Sequence, residues 1–533
     1  MNESDALNVV KGLPASGGAA LGVSHVLRTE RLRRQPGTPE EELELFDSAR
    51  ADSDAGLQEL IEQSCDLGGE ILEFQSLLLD DDSITGPVRS RIRAGESADE
   101  AWTAVLNGEI SEYEKSESEY LASRSSDLRD LRERVLRSMS AEGLRKSKFD
   151  QGAIIVAEAL GPSEFLEIDW SRAAGLALAG DSATGHVAIL ARSRSVPMIV
   201  GLGDLGQIAD KSAVLLDGEA GSLAFGPVRQ LEELHAELSS KSREDREIAQ
   251  KIALKPARTK SGRRISVLIN IGDPAALDEV DPRICDGIGL VRTEFLFAGG
   301  ELPSEDEQTR QYERIVRWAQ GRPVAIRTLD AGGDKPVPGL TVEGESNPFL
   351  GVRGLRLSLL NTESFRLQLR AIARSAELGP VKAMLPMVTS VGEFAAASEH
   401  LDAALAELKR EAVPHRRPEL GIMVETPAAA LTAHDWPTDF YSIGSNDLVQ
   451  YVTACARDNP KLARLADPAH PAVLELIGRT IAAAKKRGVE ASLCGEMAAM
   501  PSMAPALIEL GLEAFSVDPS SVGRVKMAIA ETE

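Results

Sequence analysis

Leu420-Gly-Ile-Met-Val-Glu425, followed after a break by Phe440-Tyr-Ser-Ile-Gly-Ser-Asn-Asp447, is the stretch on which the fold turns. Each half is a short apolar run, the pattern of a strand buried on both faces, and each run leads into a carboxylate. Working outward, similar runs lie at Ile265–Asn270, Gly287–Val291, Pro323–Arg327, Val381–Pro386, Glu490–Cys494 and Ala514–Val517, with helical patterns between them. Eight βα units between residues 258 and 533 predict a (β/α)₈ barrel of TIM type. A doubly wound sheet is the competing architecture, but eight units of this size favour closure.

The polar residues fall where a barrel would use them. Arg292, Thr293 and Glu294 follow the second strand; Arg327 and Asp330 close the third, with Lys335 just beyond. Glu425 ends the fifth, Asn446 and Asp447 follow the sixth, and Cys494-Gly-Glu496 ends the seventh. Taken singly, each is most simply a surface or ion-pairing residue. Together they predict one active rim, because the C-terminal ends of barrel strands converge. Several arginines suit bidentate capture of phosphate and carboxylate. Glu425 and Asp447 suit a Mg²⁺ shared with water and substrate oxygens. A lone thiol suits proton transfer or nucleophilic attack. The residues therefore point to a small phosphorylated carboxylic acid and a divalent metal.

Upstream, strand signals at Gly152–Ala157, Ala174–Ala179, Met198–Val200 and Ser212–Asp217 interleave with helices and predict an α/β domain, joined by short strands within residues 8–28. In Gly180-Asp-Ser-Ala-Thr-Gly-His186 a turn meets an apolar helical run, so His186 stands at a helix N-terminus, where free amides and the dipole suit a phosphorylated side chain. Between Thr38 and Ser140 the pattern is purely helical. Thr38-Pro-Glu-Glu is a helix start, and breaks near Gly68-Gly, Asp80-Asp-Asp and Gly95 predict about four helices inserted into the α/β domain. A charged run from Pro227 to about Ala253 reads as a linker helix.

The net charge of −24 lacks the basic stripe of a nucleic-acid binder and fits a basic partner. No run of eighteen apolar residues occurs, and the first residues lack the basic start and apolar core of a signal peptide, so neither membrane insertion nor export is expected. The four cysteines have no metal-ligand or disulfide spacing, which suggests a reducing cytoplasm.

With these residues in view, the chain resembles Enzyme I of the phosphoenolpyruvate-dependent phosphotransferase system. Asp286-Gly-Ile-Gly-Leu-Val-Arg-Thr-Glu-Phe-Leu-Phe297, Arg327-Thr-Leu-Asp-Ala-Gly-Gly-Asp-Lys335 and Asn347-Pro-Phe-Leu-Gly-Val-Arg-Gly-Leu-Arg356 carry the likeness. So do Gly421-Ile-Met-Val-Glu-Thr-Pro-Ala428, Ser442-Ile-Gly-Ser-Asn-Asp-Leu-Val-Gln-Tyr451, Cys494-Gly-Glu496 and, in the helical insert, Glu70–Asp80 and Arg124-Ser-Ser-Asp-Leu-Arg-Asp130. The resemblance implies a swivelling phosphohistidine α/β domain (1–37 and 141–226), an inserted helical carrier-docking subdomain (38–140), a linker helix (227–257) and a phosphoenolpyruvate-binding barrel (258–533). It implies that Arg292, Arg327, Arg353, Asn446 and Arg457 bind phosphoenolpyruvate, with Asp447 beside them. Glu425 and Asp447 would hold Mg²⁺, Cys494 would protonate the enolate, and His186 would take the phosphoryl group. The insert would dock an HPr-like phosphocarrier and serve docking, not chemistry. A homodimer through the barrel is also implied.

The resemblance has one departure. The family usually carries Gly-Gly-Arg-Thr-Ser-His before this helix, whereas here Ala183 replaces the arginine and Gly185 the serine. That makes a non-catalytic phosphoenolpyruvate sensor an alternative. A dikinase-like relative would need a nucleotide-grasping domain for which there is no room. The nitrogen-related branch of the same system is a second alternative, although its usual layout carries a sensory domain ahead of this region, which is not expected here.

Overall fold

A computed structural model describes residues 7–27, 36–63, 67–115, 119–140, 149–180, 185–206, 208–297, 302–333, 335, 337–342, 344–456, 462 and 465–533. The chain divides into two compact units at Ser242/Arg243.

The first unit contains β1 (Asn8–Lys11), β2 (Leu13–Ser16), β3 (Ala19–Leu27), α1 (Pro39–Gln63), α2 (Leu67–Asp80), α3 (Asp82–Arg93), α4 (Ala98–Lys115) and α5 (Glu119–Ser138). These are followed by β4 (Ala153–Ala157), α6 (Pro162–Glu167), β5 (Ala173–Leu178), α7 (His186–Ser193), β6 (Met198–Val200), β7 (Ala213–Asp217) and β8 (Ser222–Phe225). The sheet runs β1-β8-β7-β3-β4-β5-β6-β2. Its centre, β3 through β6, is parallel and its flanks are antiparallel. The run Ala-Ile-Ile-Val-Ala of β4 is buried along its whole length, which is why it reads as continuous hydrophobicity.

Among the described residues the insert holds five helices where the sequence predicts about four. Gly68-Gly69, expected as a break, lies in the first turn of α2 instead. The helix start at Thr38 is as expected: its amide donates to Glu41 Oε2 at 2.7 Å. Phe46, Leu57, Trp102, Leu106, Leu128, Leu131 and Val135 are fully buried and share one core with Phe165 of α6 and Leu178 of β5. The insert is thus packed into the α/β layer. Polar contacts lock the same junction. Asp130 of α5 accepts from both the amide (2.9 Å) and the hydroxyl (2.9 Å) of Ser163 on α6. Gly161 is required there, since a Cβ would sit 1.9 Å from Asp130 Oδ1.

Helix α8 (Val228–Ala253) follows β8, as the charged linker pattern predicts, and leads to the second unit. There β9 (Ala257–Arg258) and β10 (Arg264–Ile271) pair antiparallel. With β11 (Ile288–Val291), β12 (Val324–Arg327), β13 (Val381–Leu385), β14 (Glu419–Val424), β15 (Phe440–Gly444), β16 (Glu490–Cys494) and β17 (Ala514–Val517), β10 forms a ring of parallel neighbours. The ring closes through β17 to β10, so the unit is a (β/α)₈ barrel. Strand alternation sorts its residues. Val324 and Ile326 pack outward against the helices, Ala325 packs inward with Leu290, Met384, Met423, Phe440 and Cys494, and Arg327 follows two residues on. Lys526 is buried and donates to the carbonyls of Ala253 (2.7 Å), Lys255 (2.9 Å) and Ile284 (2.7 Å), pinning the end of α8 to the barrel. No helix among the described residues is long and apolar enough to cross a membrane.

Candidate active site

At the C-terminal rim of the barrel the strand ends deliver a buried ion cluster. Arg327, the last residue of β12, donates through Nη2 to Glu294 Oε1 at 2.8 Å and lies 3.1 Å through Nη1 from Asp330 Oδ2. Arg353, from the loop before helix Leu355–Leu360, reaches Asp330 through Nε and Nη2, each at 3.2 Å. It reaches Asp447 through Nη1 and Nη2, again at 3.2 Å each. Lys335 Nζ stands 3.2 Å from Asp330. Burial alone would raise the Asp330 carboxyl, but Lys335, Arg327 and Arg353 together hold it well below the usual carboxylate range. Arg327 Nε and Glu294 Oε2 are buried without a hydrogen-bond partner, so the cluster keeps a donor and an acceptor in reserve.

Glu425, one residue past β14, is buried and takes the Met387 amide on Oε1 at 2.6 Å. Burial and the nearby carboxylates of Asp447 and Asp330 push it up to about 8, against the pull of Arg327 and Arg353. Asp447 lies in the first turn of helix Ser445–Thr453, directly after β15. Among the described residues no group of three His, Cys, Asp or Glu forms a metal site by protein ligands alone. Glu425 and Asp447 are carboxylates on neighbouring strand ends whose oxygens could take a hard cation, with the remaining positions open to water or substrate.

Cys494 ends β16 and is buried beneath this cluster. Its thiol donates toward the Ile443 carbonyl (3.4 Å) and receives the Ser442 hydroxyl (3.7 Å). Burial pushes the thiol up, with the positive charges of Arg327 and Arg292 opposing, so it holds its proton at neutral pH. Gly495 has φ +93, and a Cβ there would meet Ser445 Oγ at 2.3 Å and Asn446 Oδ1 at 2.6 Å. That opening lets Asn446 Oδ1 accept the Glu496 amide at 2.9 Å. Arg292 follows β11, exposed, its amide bonded to the Ile271 carbonyl at 2.8 Å. Arg457 lies outside the described residues. A surface cavity of about 380 Å³ lies elsewhere, on the outer helices, lined by Glu305, Arg366, Arg370 and Glu407. Its arginines are engaged with neighbouring acids, and no strand end points into it.

In the first unit, His186 is the first residue of α7, with Gly185 as its extended N-cap. Residues 181–184, including Ala183 and Thr184, lie outside the described residues. The imidazole is partly exposed, and its Nδ1 lies 3.2 Å from Asp127 Oδ1 on α5. Arg124 Nη1 holds the other oxygen of Asp127 at 3.0 Å. Sequence reasoning placed Arg124 and Asp127 in a motif without giving either a role. Only their spacing of three on a helix was a signal. The insert is expected to serve docking, and its helix α5 also brings Asp127 to the candidate acceptor.

Comparison with known proteins finds matches over both units. Family profiles match as "PEP-utilising enzyme, N-terminal" over residues 11–124, "PEP-utilising enzyme, mobile domain" over 149–221 and "PEP-utilising enzyme, PEP-binding domain" over 246–533. Among curated relatives, the phosphoenolpyruvate-protein phosphotransferase of Haloferax volcanii is 38% identical over 501 residues, covering 92% of this chain and 87% of its own. That of Bacillus subtilis is 35% identical over 536 residues, covering 96% and 92%. That of Listeria innocua is 34% identical over 527 residues, again covering 96% and 92%.

Proposed function

The chain belongs to the phosphoenolpyruvate-protein phosphotransferase family, and on that premise we propose that His186 is the residue its phosphoryl group lands on and leaves from. The reaction itself, phosphoryl transfer from phosphoenolpyruvate to protein, follows from the family. The observation that carries the assignment of residues is the convergence at one barrel rim of buried arginines, two carboxylates on neighbouring strand ends and a protonated thiol.

Arg292, Arg327, Arg353, Asn446 and Arg457 bind the phosphate and carboxylate of the substrate. Arg353 exchanges its carboxylate partners for substrate oxygens, and the unpartnered Arg327 Nε gains an acceptor. Glu425 and Asp447 would hold Mg²⁺; the residues fit, since a cation there would offset the carboxylate repulsion that raises Glu425. When bound, such a cation would supply neutralisation of phosphate charge. The imidazole nitrogen attacks phosphorus, the bond to the enol oxygen breaks with its electron pair, and the Cys494 thiol gives its proton to C3, yielding pyruvate. The phosphoryl group then passes to a histidine of an HPr-like carrier docked on the insert (38–140), the first step of the phosphotransferase system. The division into phosphohistidine domain (1–37 and 141–226), linker (227–257) and barrel (258–533), the homodimer through the barrel and the cytoplasmic setting belong to the same reading and rest on the family resemblance.

The test is isotope exchange between phosphoenolpyruvate and labelled pyruvate with no carrier present. Exchange that needs a divalent cation and is lost in His186→Ala supports the reading; exchange surviving in that variant overturns it.

A further inference from the structure

We propose that Asp127, carried by the inserted helix α5, is a positioning residue for phosphoryl transfer: it holds His186 by Nδ1 and so makes Nε2 the nucleophile. This rests on His186 being the acceptor.

The geometry is built, not incidental. Asp127 has 0% side-chain exposure; its Oδ1 faces His186 Nδ1 at 3.2 Å and also takes the neighbouring Ser126 hydroxyl at 3.4 Å, and its Oδ2 takes Arg124 Nη1 at 3.0 Å. Its backbone carbonyl takes Gln75 Nε2 from α2 at 2.9 Å, and the same amide reaches Asp130 Oδ2 at 2.8 Å. Asp130 is fixed in turn by Ser163 of α6. The Arg124 guanidinium lies over the Phe74 ring of α2, 5.0 Å from its centroid. Asp127 is thus gripped from α2 and from its own helix while facing α7. A simple packing role for the i,i+3 pair of Arg124 and Asp127 would need no imidazole on the second oxygen.

The chemistry follows from the partners. A carboxylate can only accept, so the His186 nitrogen facing it carries the hydrogen and the other nitrogen carries the lone pair. When Nε2 forms its bond to phosphorus, the enol oxygen leaves with the P–O electron pair and Nδ1 keeps its proton. The ring becomes a phosphoimidazolium, and its new positive charge faces Asp127. The contact strengthens as the reaction proceeds, which is the condition for it to accelerate the step. Passing the group to a carrier reverses the change, so the ring returns neutral with its tautomer preserved. A protein docked on the insert therefore sits on the element that sets the nucleophile.

The test uses the full chain with ¹⁵N-labelled histidine. The ring nitrogen shifts of unphosphorylated His186 should report the Nδ1–H tautomer, and Asp127→Asn should move part of the population to Nε2–H. In single-turnover labelling by phosphoenolpyruvate without carrier, Asp127→Asn should slow His186 phosphorylation about 10²- to 10⁴-fold, the range of comparable losses of a histidine-orienting or acid–base group. The apparent affinity for phosphoenolpyruvate should stay within about threefold, and Asp127→Glu should recover at least about a tenth of the rate. A wild-type His186 in the Nε2–H tautomer overturns the proposal, as does an Asn variant that labels at the wild-type rate. The wild-type spectrum decides the matter even if the variants fail to fold. If His186→Ala itself labels normally, it is the acceptor assignment that falls; if His186→Ala is silent but Asp127→Asn is normal, only the role of Asp127 falls.

Discussion

Arg353 and Asp447 face one another with both donors on both oxygens, Nη1 to Oδ1 and Nη2 to Oδ2, each at 3.2 Å. One is read as a substrate-binding residue and the other as a metal ligand, so the two partners of this pair must part when substrate and cation arrive. In the meantime each keeps the other's charge from lying buried alone.

Arg353→Lys should therefore keep one charge but lose the planar fork that spans two oxygens. Phosphoenolpyruvate binding should weaken by about 1.5–3 kcal/mol, the scale of a hydrogen bond to a charged group. Titration calorimetry with Mg²⁺, both proteins carrying His186→Ala so that no turnover occurs, reads this binding. Equal affinity in the two proteins would remove Arg353 from the binding set.

Glu425→Gln should weaken Mn²⁺ binding by at least about tenfold, as loss of a charged ligand from a two-carboxylate site does. The same substitution should change the metal-free pH profile. The carboxyl is pushed from its usual 4.5 up to about 8 on folding, so the folded state binds an extra proton between those values. Wild-type stability should consequently fall as pH rises through that window, and the Gln variant should lack this part of the slope. Thermal unfolding at a series of pH values checks the sign; parallel profiles would contradict it.

Cys494→Ala should slow pyruvate formation by about 10²- to 10⁴-fold, as removal of a general acid does. Because burial raises the thiol, the alkaline loss of wild-type activity should come above the ordinary thiol range. Stopped-flow detection of pyruvate measures both. Unchanged turnover would leave Cys494 as a member of the apolar layer it shares with Met384, Met423 and Phe440.

The loop before His186 lacks the arginine and serine usual in the family. Arg192, further along α7, is used on the Ala15 carbonyl at 2.8 Å. Arg124 holds the Asp127 carboxylate that faces His186. Ala183→Arg combined with Gly185→Ser should therefore favour the phosphorylated form by about ten- to a hundredfold, the worth of one charge-assisted hydrogen bond. The measurement is the phosphorylation equilibrium against the pyruvate to phosphoenolpyruvate ratio. Constants agreeing within about twofold would mean that another basic group already supplies the charge.

Much of this was legible in the chain before the fold was known. The barrel strands announced themselves because a parallel strand covered on both faces is apolar throughout, as in Val324-Ala-Ile, and turns polar only at its C-terminal end, as at Arg327. Ser222–Phe225 went unread because four residues carry too little period to stand out. Gly68-Gly69 misled because the same residue type that ends helices also tolerates a helix's first turn. The contact of Asp127 with His186 spans 59 residues and two layers, and no local pattern encodes it. The same holds for Met387, whose amide steadies Glu425. Such partners are set by tertiary packing, which composition and spacing do not contain.

The most direct measurement is the site and stoichiometry of phosphate after mixing the full chain with phosphoenolpyruvate and Mg²⁺, without carrier. Mass mapping under alkaline conditions should find one phosphoryl group per chain, acid-labile and on the His186 ring, with one pyruvate released for each. His186→Ala should bind phosphoenolpyruvate and acquire none. Phosphate on another residue, or undiminished labelling of the His186→Ala variant, would contradict the account.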